Sequence, residues 1–155
     1  MSKIKIAVAG CLGRMGQEIT KKILKDKRLF FVGGFEHKSH PNINKQISKI
    51  TNIKSDFVVS SASDKVIKNA DVLIDFTNPD STLLNVKKAS LYQTAVIIGT
   101  TGINSKKIKT IKNYSKKIPI LMASNMSLGV NLLFNIVQQT ASVLKDVDYD
   151  IEISE

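Results

Sequence analysis

Cysteine is almost missing. Cys11 stands alone in 155 residues, so no internal disulfide can form, and this usage fits a reducing, cytoplasmic setting. Arginine is nearly as scarce: Arg14 and Arg28 are the only two among 23 basic residues. The net charge of +10 favours nonspecific attraction to polyanions. Specific readers of nucleic acid, however, lean on arginine's planar fork or interleave aromatics with cations. Here the lysines are scattered through the first four expected helices, so nucleic acid is not expected as a partner. No apolar run approaches the roughly 20 residues of a membrane span, which argues against a membrane partner. The opening MSKIKIAVAG runs directly into a strand, without the basic start, long apolar stretch and small-residue cleavage site of a signal peptide. Internal repeats and low-complexity linkers are also absent. What remains is an ordinary globular balance of 43% hydrophobic and 23% charged residues, in a chain long enough for one good core with an appendage.

Apolar β-branched runs alternate with helical patterns along most of the chain. Strands are expected at residues 4–9, 29–35, 57–60, 72–76, 95–98 and 118–122, and helices at 14–27, 64–69, 79–91, 105–116 and 128–144. In the first helix Met15, Ile19, Ile23 and Leu24 recur at helical spacing with lysines opposite. Residues 37–56, polar and holding Pro41, read as a loop with little regular structure. Strands rich in apolar residues on both faces, alternating with helices, imply parallel βαβ units with right-handed crossovers. The expected fold is therefore an α/β, Rossmann-like doubly wound parallel sheet. Residues 147–153 differ: Val147, Tyr149, Ile151 and Ile153 alternate with Asp148, Asp150 and Glu152, a period of two that marks a strand with one wet face. They read as the first strand of a second, α+β domain that the chain begins and does not complete. The division expected is a dinucleotide-binding domain over 1–127 and the start of a substrate and oligomerisation domain over 128–155.

Gly10-Cys11-Leu12-Gly13-Arg14-Met15-Gly16 joins the first strand to the first helix. A pyrophosphate must lie close to backbone and against the positive helix start, so side chains have to be absent there. The spacing G-x-x-G-x-x-G is a variant of the dinucleotide fingerprint. Glu36 follows at the end of the second strand, where an acid accepts hydrogen bonds from the adenosine ribose. His37 and Lys38 stand beside it and offer attraction to a 2′-phosphate, so both NADH and NADPH remain open. Cys11 reads as a small residue in the turn with no redox role.

Three further strand ends on the same sheet edge carry small or hydroxyl residues: Asp75-Phe76-Thr77, Gly99-Thr100-Thr101-Gly102 and Ala123-Ser124-Asn125-Met126-Ser127. Such residues let a cofactor lie flat on the backbone, and Phe76 offers a ring to pack on it. Each has a plainer use as well, since Thr77 or Asn78 can start the helix at Pro79 and Ser127 can cap the helix after it. Their gathering on one edge favours a ligand.

The stretches VAGCLGRMG at 8–16, IDFTNPDST at 74–82, IGTTG at 98–102, SNMSLGVN at 124–131 and DIEISE at 150–155 resemble, in order and spacing, the dihydrodipicolinate reductase (4-hydroxy-tetrahydrodipicolinate reductase) family of lysine biosynthesis through diaminopimelate. The resemblance implies an oxidoreductase that transfers hydride from NADH or NADPH to a cyclic imine or enamine dicarboxylate, as a homo-oligomer in the cytoplasm. Carried over by motif, Gly10, Cys11, Leu12, Gly13, Arg14 and Met15 hold the pyrophosphate and Glu36 the ribose, with His37 and Lys38 beside it. Phe76, Thr77, Gly99, Thr100, Thr101, Ala123, Ser124, Asn125 and Met126 line the nicotinamide side, Met126 standing where the family commonly has Phe. The family's catalytic segment, with paired histidines and a lysine proton donor, follows the stretch matching DIEISE. Within residues 1–155 no catalytic residue and no metal ligand is therefore expected, and activity of this chain alone is not. The alternatives are a non-catalytic NAD(P)-binding module and one subunit of a split enzyme.

Overall fold

The computed structural model describes residues 2–123, 125–145 and 152. Five strands, β1 (Ile4–Ala9), β2 (Leu29–Phe35), β3 (Val72–Asp75), β4 (Ala95–Ile98) and β5 (Ile120–Met122), form one sheet in the order β2-β1-β3-β4-β5. Every pairing is parallel. Helices α1 (Arg14–Lys25), α2 (Ser63–Lys68), α3 (Pro79–Leu91) and α4 (Ser105–Tyr114) fall between the strands, and α5 (Leu128–Leu144) follows them. This is the Rossmann-like α/β arrangement that the alternation of periods predicts.

The strand composition explains the two-sided cover. Successive side chains leave a strand on opposite faces, and β1 buries Ile6 and Val8 with Ile23 of α1 on one face. Ala7 and Ala9 join Val86 and Ala89 of α3 and Ile111 of α4 on the other. Both faces are dry, so β1 and β3 read as nearly continuous apolar runs rather than alternating ones.

The chain divides into two compact units, Met1–Ser124 and Asn125–Glu155, whereas the sequence pattern placed the division after residue 127. The sheet and α1–α4 belong to the first unit. In the second, α5 buries none of its residues and exposes Leu128, Leu132, Leu133, Phe134 and Ile136. The strand expected at 147–153 lies outside the described residues, apart from Glu152.

Residues 57–60 do not form the expected strand. Ser60 makes an isolated parallel bridge to Phe35 and Val58 an antiparallel one to Gln46. The backbone of this segment divides its hydrogen bonds between two neighbours: Ser60 N–H donates to the Gly34 carbonyl, while Val59 N–H donates to Lys45 and Ile47 N–H to Phe57. A ladder needs one partner in continuous register, and this segment has two. The preceding loop is also better organised than its polarity suggests. It contains a 3-10 turn at Ile47–Lys49, and Ile47, Ile53 and Val59 are fully buried.

Candidate functional site

The chain leaves β1 toward β2 on one side and later returns to β3 on the other. Open parallel sheets take their ligands in the crevice beyond the strand ends where that reversal occurs. Gly10 occupies this point with a φ of +70°, and a Cβ on it would stand 2.9 Å from the Phe76 carbonyl oxygen. Both the left-handed conformation and the close backbone approach require glycine. At Gly16 a Cβ would overlap the Gly10 carbonyl oxygen, so the turn rests directly on the first turn of α1.

That helix start is left open. Gly13 is the N-cap and has no side chain to bond the first amides, and no acid lies in the first turn. Among the described residues the backbone N–H groups of residues 14–16 find no acceptor. At α3, α4 and α5 the N-caps are filled, Asn78, Asn104 and Ser127 accepting from the amides of Ser81, Lys107 and Val130, whereas the short α2, like α1, has no capping side chain. Unfilled amides at the positive end of a helix dipole favour an anion.

Glu36 stands opposite, at the end of β2. Its Oε1 accepts the Leu12 N–H at 2.7 Å, and its other oxygen meets no donor among the described residues. One carboxylate therefore fastens the glycine turn and keeps an acceptor for a hydroxyl. The crevice between these groups has a volume of about 390 Å³. Its lining brings together Gly10, Gly13, Glu36, His37, Lys38, Phe76 and Thr77 of the sequence-expected residues. Sequence reasoning missed Ser61, Ser63, Ser81, Leu84, Asn85 and Lys88 of the same lining. A signal was present in α3, where Asn78, Ser81, Asn85 and Lys88 follow one another at helical spacing and form a polar stripe. Lys88 Nζ reaches Asp64 Oδ2 and Ser63 Oγ, both at 2.7 Å, and this hydrogen-bonded cation holds the Asp64 carboxyl below its ordinary range.

Other expected residues take different places. Cys11 contributes no side chain to the crevice: it is fully buried, and a Cβ on Gly34 would stand 2.7 Å from its sulfur. Arg14, Met15 and Thr101 are exposed. Thr100 is buried and turns its hydroxyl inward, 3.3 Å from Asp75. Gly99 lies under the Phe76 ring, which a Cβ there would overlap. Ala123 closes the described part of the first unit, Asn125 and Met126 belong to the second, and Ser124 lies outside the described residues. Asn125 Nδ2 is buried without a partner among them.

Beneath the crevice lies a carboxylate that sequence reasoning named only as a strand end. Asp75 is fully buried. Its Oδ1 accepts the Thr77 hydroxyl at 2.6 Å and the Thr77 amide at 3.0 Å, and its Oδ2 accepts Asn85 Nδ2 at 2.9 Å. The Thr82 hydroxyl reaches Thr100 Oγ1 at 2.8 Å. This network ties the end of β3, the first turns of α3 and the turn after β4 into one rigid wall.

A parallel sheet, a glycine turn on an uncapped helix and an acid at the end of β2 define a dinucleotide-binding domain of the oxidoreductase kind. The comparisons refine that class. The family model "Dihydrodipicolinate reductase, N-terminus" matches residues 4–126, and the chain belongs to that family. It is 40% identical over 152 residues to the 4-hydroxy-tetrahydrodipicolinate reductase of Buchnera aphidicola subsp. Schizaphis graminum, covering 97% of this chain and 55% of that protein. To the Pelagibacter ubique enzyme of the same name it is 44% identical over 147 residues, covering 94% and 53%. The chain thus spans about half the length of the curated relatives it matches. Among solved structures, a dipicolinate-bound dihydrodipicolinate reductase from Paenisporosarcina sp. TG-14 superposes with a TM-score of 0.72 at 21% identity, covering 90% of this chain and 54% of that one. Staphylococcus aureus homoserine dehydrogenase gives 0.62 at 12%, covering 80% and 33%, a likeness of fold.

Proposed function

We propose that this chain binds NADH or NADPH as the nucleotide-binding part of a 4-hydroxy-tetrahydrodipicolinate reductase. The observation that carries this reading is the open start of α1, faced by a carboxylate with one oxygen still free. The N–H groups of residues 14–16 receive the diphosphate, with the Gly13 backbone bare beneath it. Glu36 accepts a hydroxyl of the adenosine ribose. Lys38 and His37 stand next to that sugar, so a 2′-phosphate meets the Lys38 cation and an imidazole ring as well as the Glu36 carboxylate, and both cofactors are admitted. Phe76 and Gly99 give a flat continuation toward the nicotinamide. When bound, the cofactor supplies the hydride; the residues of this chain bind and orient it, and none is assigned to proton transfer. The whole protein's substrate on this reading is a small cyclic dicarboxylate, and its setting is the cytoplasm as a homo-oligomer.

Gly13 allows a clean test. Its φ of −65° suits any residue, and a Cβ there would meet only the Gly10 carbonyl oxygen, at 3.3 Å. Gly13→Glu therefore asks the Gly10 carbonyl to give by a few tenths of an ångström and sends a carboxylate toward the diphosphate. Titration of NADH fluorescence should show binding at least about tenfold weaker than in the wild type, from like-charge repulsion in a crevice partly shielded from water. Equal affinities would remove the assigned turn from the site.

A further inference from the structure

We infer that Asn85, held in one orientation by Asp75, reads the exocyclic amino group of the cofactor's purine, so that the crevice prefers an aminopurine to an oxopurine. The inference rests on the nucleotide-binding reading above and goes beyond it to the base.

The reasoning begins with donors and acceptors. An ionised carboxylate only accepts hydrogen bonds, whereas an amide side chain has one end of each kind. Asp75 is fully buried, and its Oδ2 lies 2.9 Å from Asn85 Nδ2. Turning the Asn85 amide over would set oxygen against oxygen in a buried place, so its nitrogen must face Asp75. The carboxylate cannot yield instead, because its Oδ1 is fixed by the hydroxyl and the backbone amide of Thr77. The Asn85 carbonyl oxygen is left over. Asn85 is only 6% exposed and lines the crevice, yet no donor among the described residues meets that oxygen. That oxygen is not among the atoms sealed from solvent without a partner; it stands in the lining as an acceptor fixed in place, open to a ligand's N–H.

The crevice tells which N–H. The same lining holds the glycine turn, assigned to the diphosphate, and Glu36, assigned to the sugar hydroxyls. The donor that remains on an adenosine is the amino group of its base. Leu84, one residue before Asn85 and 60% exposed, lies in the same lining and offers an apolar surface to a purine ring. A hypoxanthine base carries a carbonyl oxygen in place of the amine, which sets acceptor against acceptor. Sites that hydrogen-bond a ligand group discriminate strongly against analogues lacking it.

The test titrates the full chain with NADH and with reduced nicotinamide hypoxanthine dinucleotide, following nicotinamide fluorescence. The wild type should bind NADH about tenfold more tightly. Asn85→Leu should bring the ratio close to one by weakening NADH alone. Asp75→Asn should also lower the ratio, because its amide no longer dictates which way Asn85 faces; this ratio is a quantity that a purely structural role for Asp75 would not move. Should either variant fail to fold, the wild-type ratio decides by itself. Equal affinity of the wild type for the two dinucleotides, or a ratio that survives Asn85→Leu, overturns the inference and leaves the cofactor reading intact. Failure to bind either dinucleotide overturns both.

Discussion

Burial against Gly34, with the Glu36 carboxylate as a second cause, pushes the Cys11 thiol from an ordinary 9.0 up to about 12. Loss of water penalises the thiolate, and a nearby negative charge adds to the penalty. The native thiol therefore stays protonated at pH 8.5, and its alkylation by iodoacetamide should be at least about a hundredfold slower than in urea. A native rate equal to the unfolded one would show the residue to be accessible. The sign of the linkage follows: below pH 9 both states keep the proton, and as pH rises from about 9 to 12 only the unfolded chain releases it, so stability falls across that window. Cys11→Ala should flatten that part of the unfolding profile. At this scale the sequence was legible where spacing alone sets the chemistry. Gly10 and Glu36 come together because a strand, a tight turn and a helix of ordinary length bring them there. Asn85 was not legible, because the orientation of its amide depends on Asp75, ten positions earlier in the chain and met only through the packing of α3 on β3.

Three helix starts, at α3, α4 and α5, are capped by the chain's own side chains, whereas those of α1 and the short α2 are not. Asn78 bonds the Ser81 amide at 3.0 Å ahead of Pro79, and Asn78→Ala should cost about 1 kcal/mol. In a chain of this size that lowers the melting midpoint by roughly 2–4 °C, readable by calorimetry or circular dichroism. An equivalent loss is absent at α1, which has no capping side chain to remove. Such caps, the apolar runs of β1 and β3 and the apolar period of α1 could be read directly. The segment 57–60 could not. Its composition is that of a strand, but its backbone serves β2 at Ser60 and residues 44–47 elsewhere, and composition does not reveal a divided register. For the same reason Ile47 and Ile53, set in a polar stretch without periodicity, gave no sign that they would be buried.

At the scale of the molecule, the first unit holds its own two-faced core, while α5 in the second displays apolar side chains all along its length. We expect a chain ending at Ser124 to unfold cooperatively. An exposed apolar surface of this kind promotes association, so the full chain should show a concentration-dependent rise in sedimentation coefficient that the shortened one lacks. A shortened chain that fails to fold would show that the first unit depends on residues 125–155. A final consequence follows from the bond between Glu36 and the Leu12 amide. If, as proposed, the side chain that steadies the loop also meets the sugar, filling either half of the crevice should stiffen the other half in advance. A joined dinucleotide then gains from positive cooperativity between its two ends, and neither fragment alone reports the full strength of the grip.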